Sequence, residues 1–274
     1  MCPPDYYGIH YEINPWMDTR RPADQALAVR QWNGLRTLLE ELGAEISLVE
    51  PVEGLPDMVF TANAAVVRGQ IAVPARFRHA QRQGEQPHYQ KWFADNGYEI
   101  QQLPGDGSFE GAGDALFCGD TLWAGYQTRS DALTQQHLGE LLKCRVMPLE
   151  LVDDRFYHLD TCFCPLAPGV AMVFLGAFDD YGRRVLTESV EQLVPVAEDE
   201  ARSFACNAVV IGRDVVTNTG CDALHEALRA AGYEPHATEL SEFVKAGGSA
   251  KCLTLRLDGE EAADRSEVKR ARSL

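Results

Sequence analysis

Basic residues are scarce. Lys and Arg number 25 against 41 Asp and Glu, a formal net charge of −16. A phosphate backbone rewards a basic surface, so nucleic-acid binding is not expected. Attachment to an anionic membrane surface is disfavoured for the same reason. Long apolar runs are missing too. The longest strongly apolar stretch, Val170 to Phe178, contains a Gly and falls far short of the ~20 residues a spanning helix needs. The N-terminus, MCPPDYYGIHYEINPWM, has no basic stretch followed by an apolar one and does not read as a secretory signal. The eight cysteines contain no C-x-x-C, only Cys162-x-Cys164, and a chain of this size needs no staples. A disulfide framework and a zinc site are both disfavoured. Reduced thiols in a cytoplasmic protein are expected, most of them small buried hydrophobes. No linker rich in Gly, Ser or Pro interrupts the chain, and 45% of its residues are apolar, so disorder is not its main state. One domain is expected over residues 1–257. The last stretch, DGEEAADRSEVKRARSL (258–274), has little apolar content and reads as a polar tail outside the core.

What is present is a repeat. Apolar, strand-like segments recur at 59–74, 109–126, 158–176, 203–218 and 249–257, the last one truncated. The first four each hold two apolar runs around a short turn: Arg68-Gly69, Gly119-Asp120, Pro168-Gly169 and Gly212-Arg213-Asp214. Gly and Asp suit the positive φ of tight hairpin turns. Landmarks at the start of each unit, Asn63, Glu110, His158, Cys206 and Cys252, lie 47, 48, 48 and 46 residues apart. Helical patterns fall between the hairpins. The clearest runs from Pro22 to Leu42, with Val29, Trp32, Leu35, Leu39 and Leu42 at three- and four-residue spacing. Others are expected at Tyr89–Asn96, at Ser130–Leu142 with Ser130 as N-cap, at Glu188–Leu193 and at Asp222–Ala231. Three helices lead into similar text, GAEISLV, GYEIQQL and GYEPHATEL, so the unit is hairpin, helix, third strand. Such units cannot each bury their own apolar face. The fold class expected is α/β, with five units in a ring around one axial pocket. An open α/β sheet is the alternative.

Polar residues inside apolar strand starts need a reason, because burying them costs free energy. Asn63 sits in FTANAAVV, Glu110 and Asp114 in FEGAGDAL, His158 and Asp160 in YHLDTCF, Asn207 in ACNAVV, and Cys252 follows GGSAK. Taken singly, each has an ordinary reading as packing, turn or cap. No Walker Lys-Ser/Thr follows the Gly-rich stretches, so their glycines are expected to allow close backbone approach. His158 and Asp160 alone are too few for a metal site. Together, a Cys, a His and carboxylates at equivalent positions supply a nucleophile, an acid–base and cation anchors. A thiolate is favoured by a cationic neighbour, and His158 can move protons near neutral pH. Glu110 and Asp160 are acceptors for a planar, multi-donor cation, and a guanidinium fits because its N–H fork meets carboxylates in pairs. Arg76, Arg78, Arg82 and Arg129 are candidates for holding a substrate carboxylate.

FEGAGDAL, HLDTCF and a late GGSAKCLT, in that order, resemble the guanidine-modifying superfamily with the pentein fold, over about Met1 to Leu257. The resemblance implies a five-bladed α/β propeller. It implies Cys252 as nucleophile, His158 as general acid/base, and Glu110 and Asp160 as partners of the guanidinium or of His158. Arg129 and Arg82 match positions that bind the substrate carboxylate, and Phe60 matches an aromatic beside the substrate. Deiminases and dimethylarginine hydrolases usually carry an acid where this chain has Asn63. FTANA with YEINPWM is most similar to the arginine dihydrolases, which makes Asn14 and Asn63 expected pocket residues. The expected activity is therefore hydrolysis of arginine to ornithine, ammonia and carbon dioxide, without metal or cofactor. The alternatives are a dimethylarginine hydrolase, an amidinotransferase, and a catalytically silent ring-shaped binding factor. The expected partner is a small guanidino substrate; a homo-oligomer is possible on this reading and is left open.

Overall fold

The computed structural model describes residues 1–258. The polar tail expected from residue 258 lies, beyond Asp258, outside the described residues. Four small sheets of three strands follow one another along the chain, each ordered as in sequence. Their strands are β1 (Ala65–Arg68), β2 (Ile71–Pro74) and β3 (Glu99–Ile100), then β4 (Ala115–Cys118), β5 (Thr121–Tyr126) and β6 (Arg145–Glu150). β7 (Phe163–Ala167), β8 (Val170–Val173) and β9 (Gln192–Pro195) form the third sheet, and β10 (Val209–Ile211), β11 (Asp214–Asn218) and β12 (Glu234–Thr238) the fourth. In every sheet the first two strands form an antiparallel hairpin and the third adds parallel to the second. All four hairpins turn on a glycine with positive φ: Gly69, Gly119, Gly169 and Gly212. That conformation strains any residue with a Cβ.

The helices are α1 (Gln25–Glu41), α2 (Ala80–Gln83), α3 (Gln86–Asp95), α4 (Ala132–Leu142), α5 (Asp180–Ser189), α6 (Glu198–Ala201), α7 (Asp222–Ala230) and α8 (Ser241–Val244). α1 starts later than Pro22 because Asp24 caps it, its Oδ1 accepting from the Leu27 N–H at 2.9 Å. The face it buries carries Ala28, Trp32, Leu35 and Leu39. Two helix expectations are corrected. The segment expected to be helical at Glu188–Leu193 contains the end of α5 and the start of β9. α5 begins at Asp180 because the Asp179 side chain accepts from the Gly182 N–H at 2.7 Å, and Gln192 is already paired with Val170. Ser130 does not cap α4. The N-cap position belongs to Asp131, and the Ser130 hydroxyl serves the site described below.

The fifth sector differs from the other four. GAEISLV forms no strand, and 249–257 contains none either. Instead the Met1 ammonium donates to the Ser47 carbonyl at 2.9 Å and the Val49 N–H to the Met1 carbonyl at 3.0 Å. A cleft of about 580 Å³ opens there, lined by residues 43–47, 209–212 and 254–258. Side chains of the second to fourth units share one apolar cluster, in which Cys162, Cys164, Cys206 and Cys221 are buried. No disulfide joins the eight cysteines. Among the described residues no helix is long and apolar enough to cross a membrane.

The unit starts are tied to one another. The Asn63 amide N–H donates to the Glu110 carbonyl at 3.3 Å. Asp114 Oδ1 accepts from the Leu159 N–H at 3.1 Å. Asn207 Nδ2 donates to the Asp160 carbonyl at 3.2 Å, and its Oδ1 accepts from the Cys252 N–H at 3.0 Å. The Ala62 N–H donates to the Cys252 carbonyl at 3.1 Å, which joins the last unit to the first.

Candidate active site

A 3-10 turn leads directly into the first strand of each of the first three sheets: Thr61–Ala64, Gly111–Gly113 and Leu159–Thr161. These turns convert an apolar strand start into an inward-facing polar position. Glu110 and His158 are the residues that enter the second and third turns, while Asn63 and Asp160 lie within theirs. Close packing of the turns explains the glycines of FEGAGD. Gly111 has φ +60°, and a Cβ there would meet the Asn63 carbonyl group at 2.8 Å.

Glu110 is fully buried and is the hub. Its Oε2 accepts from Arg129 Nη1 at 2.9 Å and meets His158 Nε2 at 2.8 Å. Its Oε1 accepts from the Arg78 backbone N–H at 3.3 Å. Burial alone would raise its pKa. The Arg129 guanidinium and the His158 hydrogen bond outweigh burial and hold the carboxyl well below its ordinary value. His158 is also buried, and burial lowers its pKa to about 4 although Glu110 pulls the other way. At neutral pH the pair is thus a carboxylate beside a neutral imidazole. Nε2 must then carry the proton it donates to Glu110, which leaves the lone pair on Nδ1. Nδ1 is buried and has no protein hydrogen-bond partner.

Cys252 is buried at the start of the fifth unit. Its thiol donates to Asp160 Oδ2 at 3.4 Å, and Asn207 Nδ2 donates to its sulfur at 3.1 Å. Burial and then Asp160 push the thiol well above its ordinary pKa, against the Ser249 N–H and the Asn207 amide. The resting group is therefore the thiol. Among the described residues, no three or more His, Cys, Asp or Glu side chains gather as metal ligands.

The remaining expected site residues are engaged in specific ways. Arg82 is buried and grips Glu85 with two hydrogen bonds of 2.8 Å. It also donates to Asn63 Oδ1 at 2.7 Å and lies over the Phe77 ring at 4.4 Å. The Asn63 amide is thus shared between Arg82 and the Glu110 carbonyl. Arg129 donates to Glu110 and, through Nη2, to the Ile13 carbonyl at 2.8 Å. Its guanidinium stands over the Tyr157 ring at 4.6 Å. Asn14 accepts from the Trp16 and Met17 N–H groups and donates to the Ala246 carbonyl at 3.0 Å, tying NPWM to the loop before Cys252. Phe60 packs edge-on against Tyr7 and Phe243. A Cβ on Gly248 would meet its ring at 2.5 Å. Arg76 points elsewhere, to the Gly107 and Leu103 carbonyls, whereas Arg78 donates to Asp131 and, at 3.3 Å, to the Arg129 carbonyl.

Two neighbours, Asp57 and Glu85, were not singled out from sequence. Asp57 is buried, with Oδ2 accepting from Tyr11 at 2.9 Å while Oδ1 has no partner. Burial raises its pKa, against Arg82 and the Tyr11 hydrogen bond. Its signal was present in PDMVF, a carboxylate inside an apolar stretch. Glu85 had none, since RQGEQ is a polar stretch with no apolar residue beside the carboxylate. Asp114 and Ser130 brace the hub: the Ser130 hydroxyl donates to Asp114 Oδ2 at 2.6 Å and accepts from the Glu110 N–H at 3.0 Å.

A family model described as N,N-dimethylarginine dimethylhydrolase, eukaryotic, matches residues 12–258. The chain belongs to this family. Within its wider relations, the chain is 48% identical over 262 residues to the bifunctional arginine dihydrolase/ornithine cyclodeaminase AgrE of Nostoc sp., covering 94% of this chain and 37% of that protein. The chain therefore spans well under half the length of that two-function relative. It is 39% identical to the dimethylarginine dimethylaminohydrolase of Mycobacterium tuberculosis over 257 residues, 94% of this chain and 84% of that one. Among solved structures, it superposes with a TM-score of 0.91 on a variant of the N-terminal domain of ArgZ covalently bonded to a reaction intermediate. That match has 45% sequence identity and covers 96% of this chain and 98% of the other. Membership of the dimethylarginine dimethylhydrolase family agrees with the guanidine-modifying superfamily expected from the motifs.

Proposed function

We propose that this chain is an arginine dihydrolase, converting arginine and two waters to ornithine, two ammonia and carbon dioxide through covalent chemistry on Cys252. The observation that carries the reading is the gathering at the linked unit starts of an imidazole held by Glu110 and open at Nδ1 and of a buried thiol held between Asp160 and Asn207. A guanidinium placed between Glu110 and Asp160 meets two acceptors suited to its N–H fork. Its charge beside the sulfur also favours the thiolate. Cys252 then attacks the guanidino carbon and the thiol proton passes to His158. The imidazolium, stabilised by Glu110, returns that proton to the departing ammonia. Water activated by His158 attacks the resulting S-amidino adduct and frees the sulfur, leaving a ureido group. In a second round Cys252 attacks the ureido carbon and the other ammonia leaves; the second water then frees the sulfur from the S-carbamoyl adduct, and the resulting ornithine carbamate breaks its C–N bond to give ornithine and carbon dioxide. Asn63 suits this second round, because an amide both donates and accepts and so holds a neutral ureido group.

The remaining roles follow the same reading. Arg129 and Arg82 serve the substrate carboxylate, and Asn14 and Phe60 shape the pocket. The unpartnered Asp57 oxygen is an acceptor for the substrate ammonium. The hydrogen bonds that link the unit starts in succession, and return from Cys252 to Ala62, support a five-bladed α/β propeller with an incomplete fifth blade. The names of AgrE and the structure of the ArgZ intermediate support the dihydrolase outcome. The M. tuberculosis relative's name favours a second reading, hydrolysis of methylated arginine to citrulline and an alkylamine. In either case Cys252→Ser is expected to abolish turnover of arginine and its methylated forms while leaving circular dichroism unchanged. Wild type should yield an arginine-derived mass adduct on the Cys252 peptide. Near-wild-type turnover by the variant would remove the proposed nucleophile.

A further inference from the structure

Asn207 saturates its side chain around the nucleophile. It is fully buried, and an amide offers two N–H groups and two lone pairs. Its Oδ1 accepts from the Ser249 N–H and the Cys252 N–H, both at 3.0 Å. Its Nδ2 donates to Cys252 Sγ at 3.1 Å and to the Asp160 carbonyl at 3.2 Å. Its own backbone carbonyl accepts from the Lys251 N–H at 3.2 Å. The two backbone donors require the oxygen on their side, so the amide nitrogen must face the sulfur. One residue thereby fixes the backbone turn that presents Cys252, the carbonyl of Asp160, and the electrostatic surroundings of Sγ.

We propose that Asn207 is the positioning residue of the Cys252 nucleophile: its oxygen anchors the Ser249–Cys252 turn, and its N–H steadies the sulfur as thiolate. The inference rests on Cys252 being the nucleophile. The case for a role beyond packing lies in what faces Sγ. Asp160 Oδ2 can only accept from the thiol, and a thiolate beside it meets like charge. The Asn207 N–H is the side-chain donor on the other side, and a hydrogen bond to a charged acceptor strengthens as the charge forms. Asn63 gives a useful contrast. Like Asn207, it sends its amide N–H to the carbonyl of a residue 47 positions away, but its oxygen meets Arg82. The first unit thus sends an amide forward to the second, and the fourth sends one back to the third while holding Cys252.

Asn207→Asp keeps an oxygen for both backbone donors and replaces the N–H that faces the sulfur, so it separates the two functions. Alkylation of Cys252 by iodoacetamide, followed across pH by mass spectrometry of the Cys252 peptide, reads thiolate formation without substrate. The variant is expected to be alkylated about tenfold to a hundredfold more slowly at a given pH, with the profile displaced upward by about one pH unit or more. Turnover should fall mainly in kcat. An unchanged alkylation profile in a folded variant, with only thermal stability lowered, would show a structural role and overturn the proposal. Should the aspartate variant not fold, Asn207→Ser is to be measured in the same way with the same two outcomes. An active Cys252→Ser enzyme would instead refute the underlying reading, whatever Asn207 does.

Discussion

Burial sets the charge of His158 against the wish of its own carboxylate neighbour. A solvated imidazole beside Glu110 would be raised; the buried one is lowered to about 4. Between about pH 6.5 and 4 the unfolded chain binds a proton that the folded chain refuses, so this residue's contribution falls as pH falls. Replacing it by Gln removes the titration. The stability difference between wild type and His158→Gln, from urea unfolding, is expected to shrink by on the order of 3 kcal/mol between pH 7 and pH 4. A difference independent of pH would mean that burial leaves the pKa of the imidazole unshifted. Asn63 poses a second residue-scale test. Asn63→Asp would pair with Arg82, so the fold should survive. A carboxylate cannot donate to a ureido oxygen and repels the oxyanion of the second attack. The variant is expected to release citrulline from arginine and little ornithine; an unchanged product ratio would leave Asn63 with a structural role only. Cys252, His158, Glu110 and Asp160 were legible because each is a polar residue at an apolar strand start. The partners were not. Nothing local in RQGEQ says that Arg82 will be buried and bridge Glu85 to Asn63, since that depends on which turn packs beneath it.

At the scale of elements, the 3-10 turns are what place Asn63, Glu110, His158 and Asp160. Gly111 is where one turn runs against another, with positive φ and the Asn63 backbone 2.8 Å from any Cβ. Gly111→Ala is expected to cost roughly 2 kcal/mol or more in urea unfolding. Displacement of Glu110 should also lower kcat by at least about tenfold. A variant unchanged in both would contradict the packing described for the turns. The hairpins and the third strands β3 and β12 were readable from the Gly turns and the repeated GYE text. The helix expected at Glu188–Leu193 was misplaced because its apolar residues belong partly to β9. GAEISLV shares its pattern with true third strands but forms none. A strand needs a neighbour, and the second strand it would pair with in the fifth sector is reduced to the two hydrogen bonds of Met1.

The molecule as a whole is strongly acidic, at −16, and a cationic guanidino compound is the sort of ligand such a field attracts. All the residues assigned to the proposed chemistry lie within residues 14–252, drawn from every unit, so the proposed reaction would need the complete arrangement rather than any single element. The match covers 37% of the length of AgrE. The account's central claim is that one pocket processes the same carbon twice. Incubating the purified chain with L-arginine and quantifying ornithine, citrulline, ammonia and carbon dioxide tests it most directly. The predicted result is ornithine with two ammonia per ornithine, and no citrulline accumulating, all lost in Cys252→Ser. Citrulline as the final product with one ammonia, or turnover of methylated arginine alone with release of an alkylamine, would contradict it.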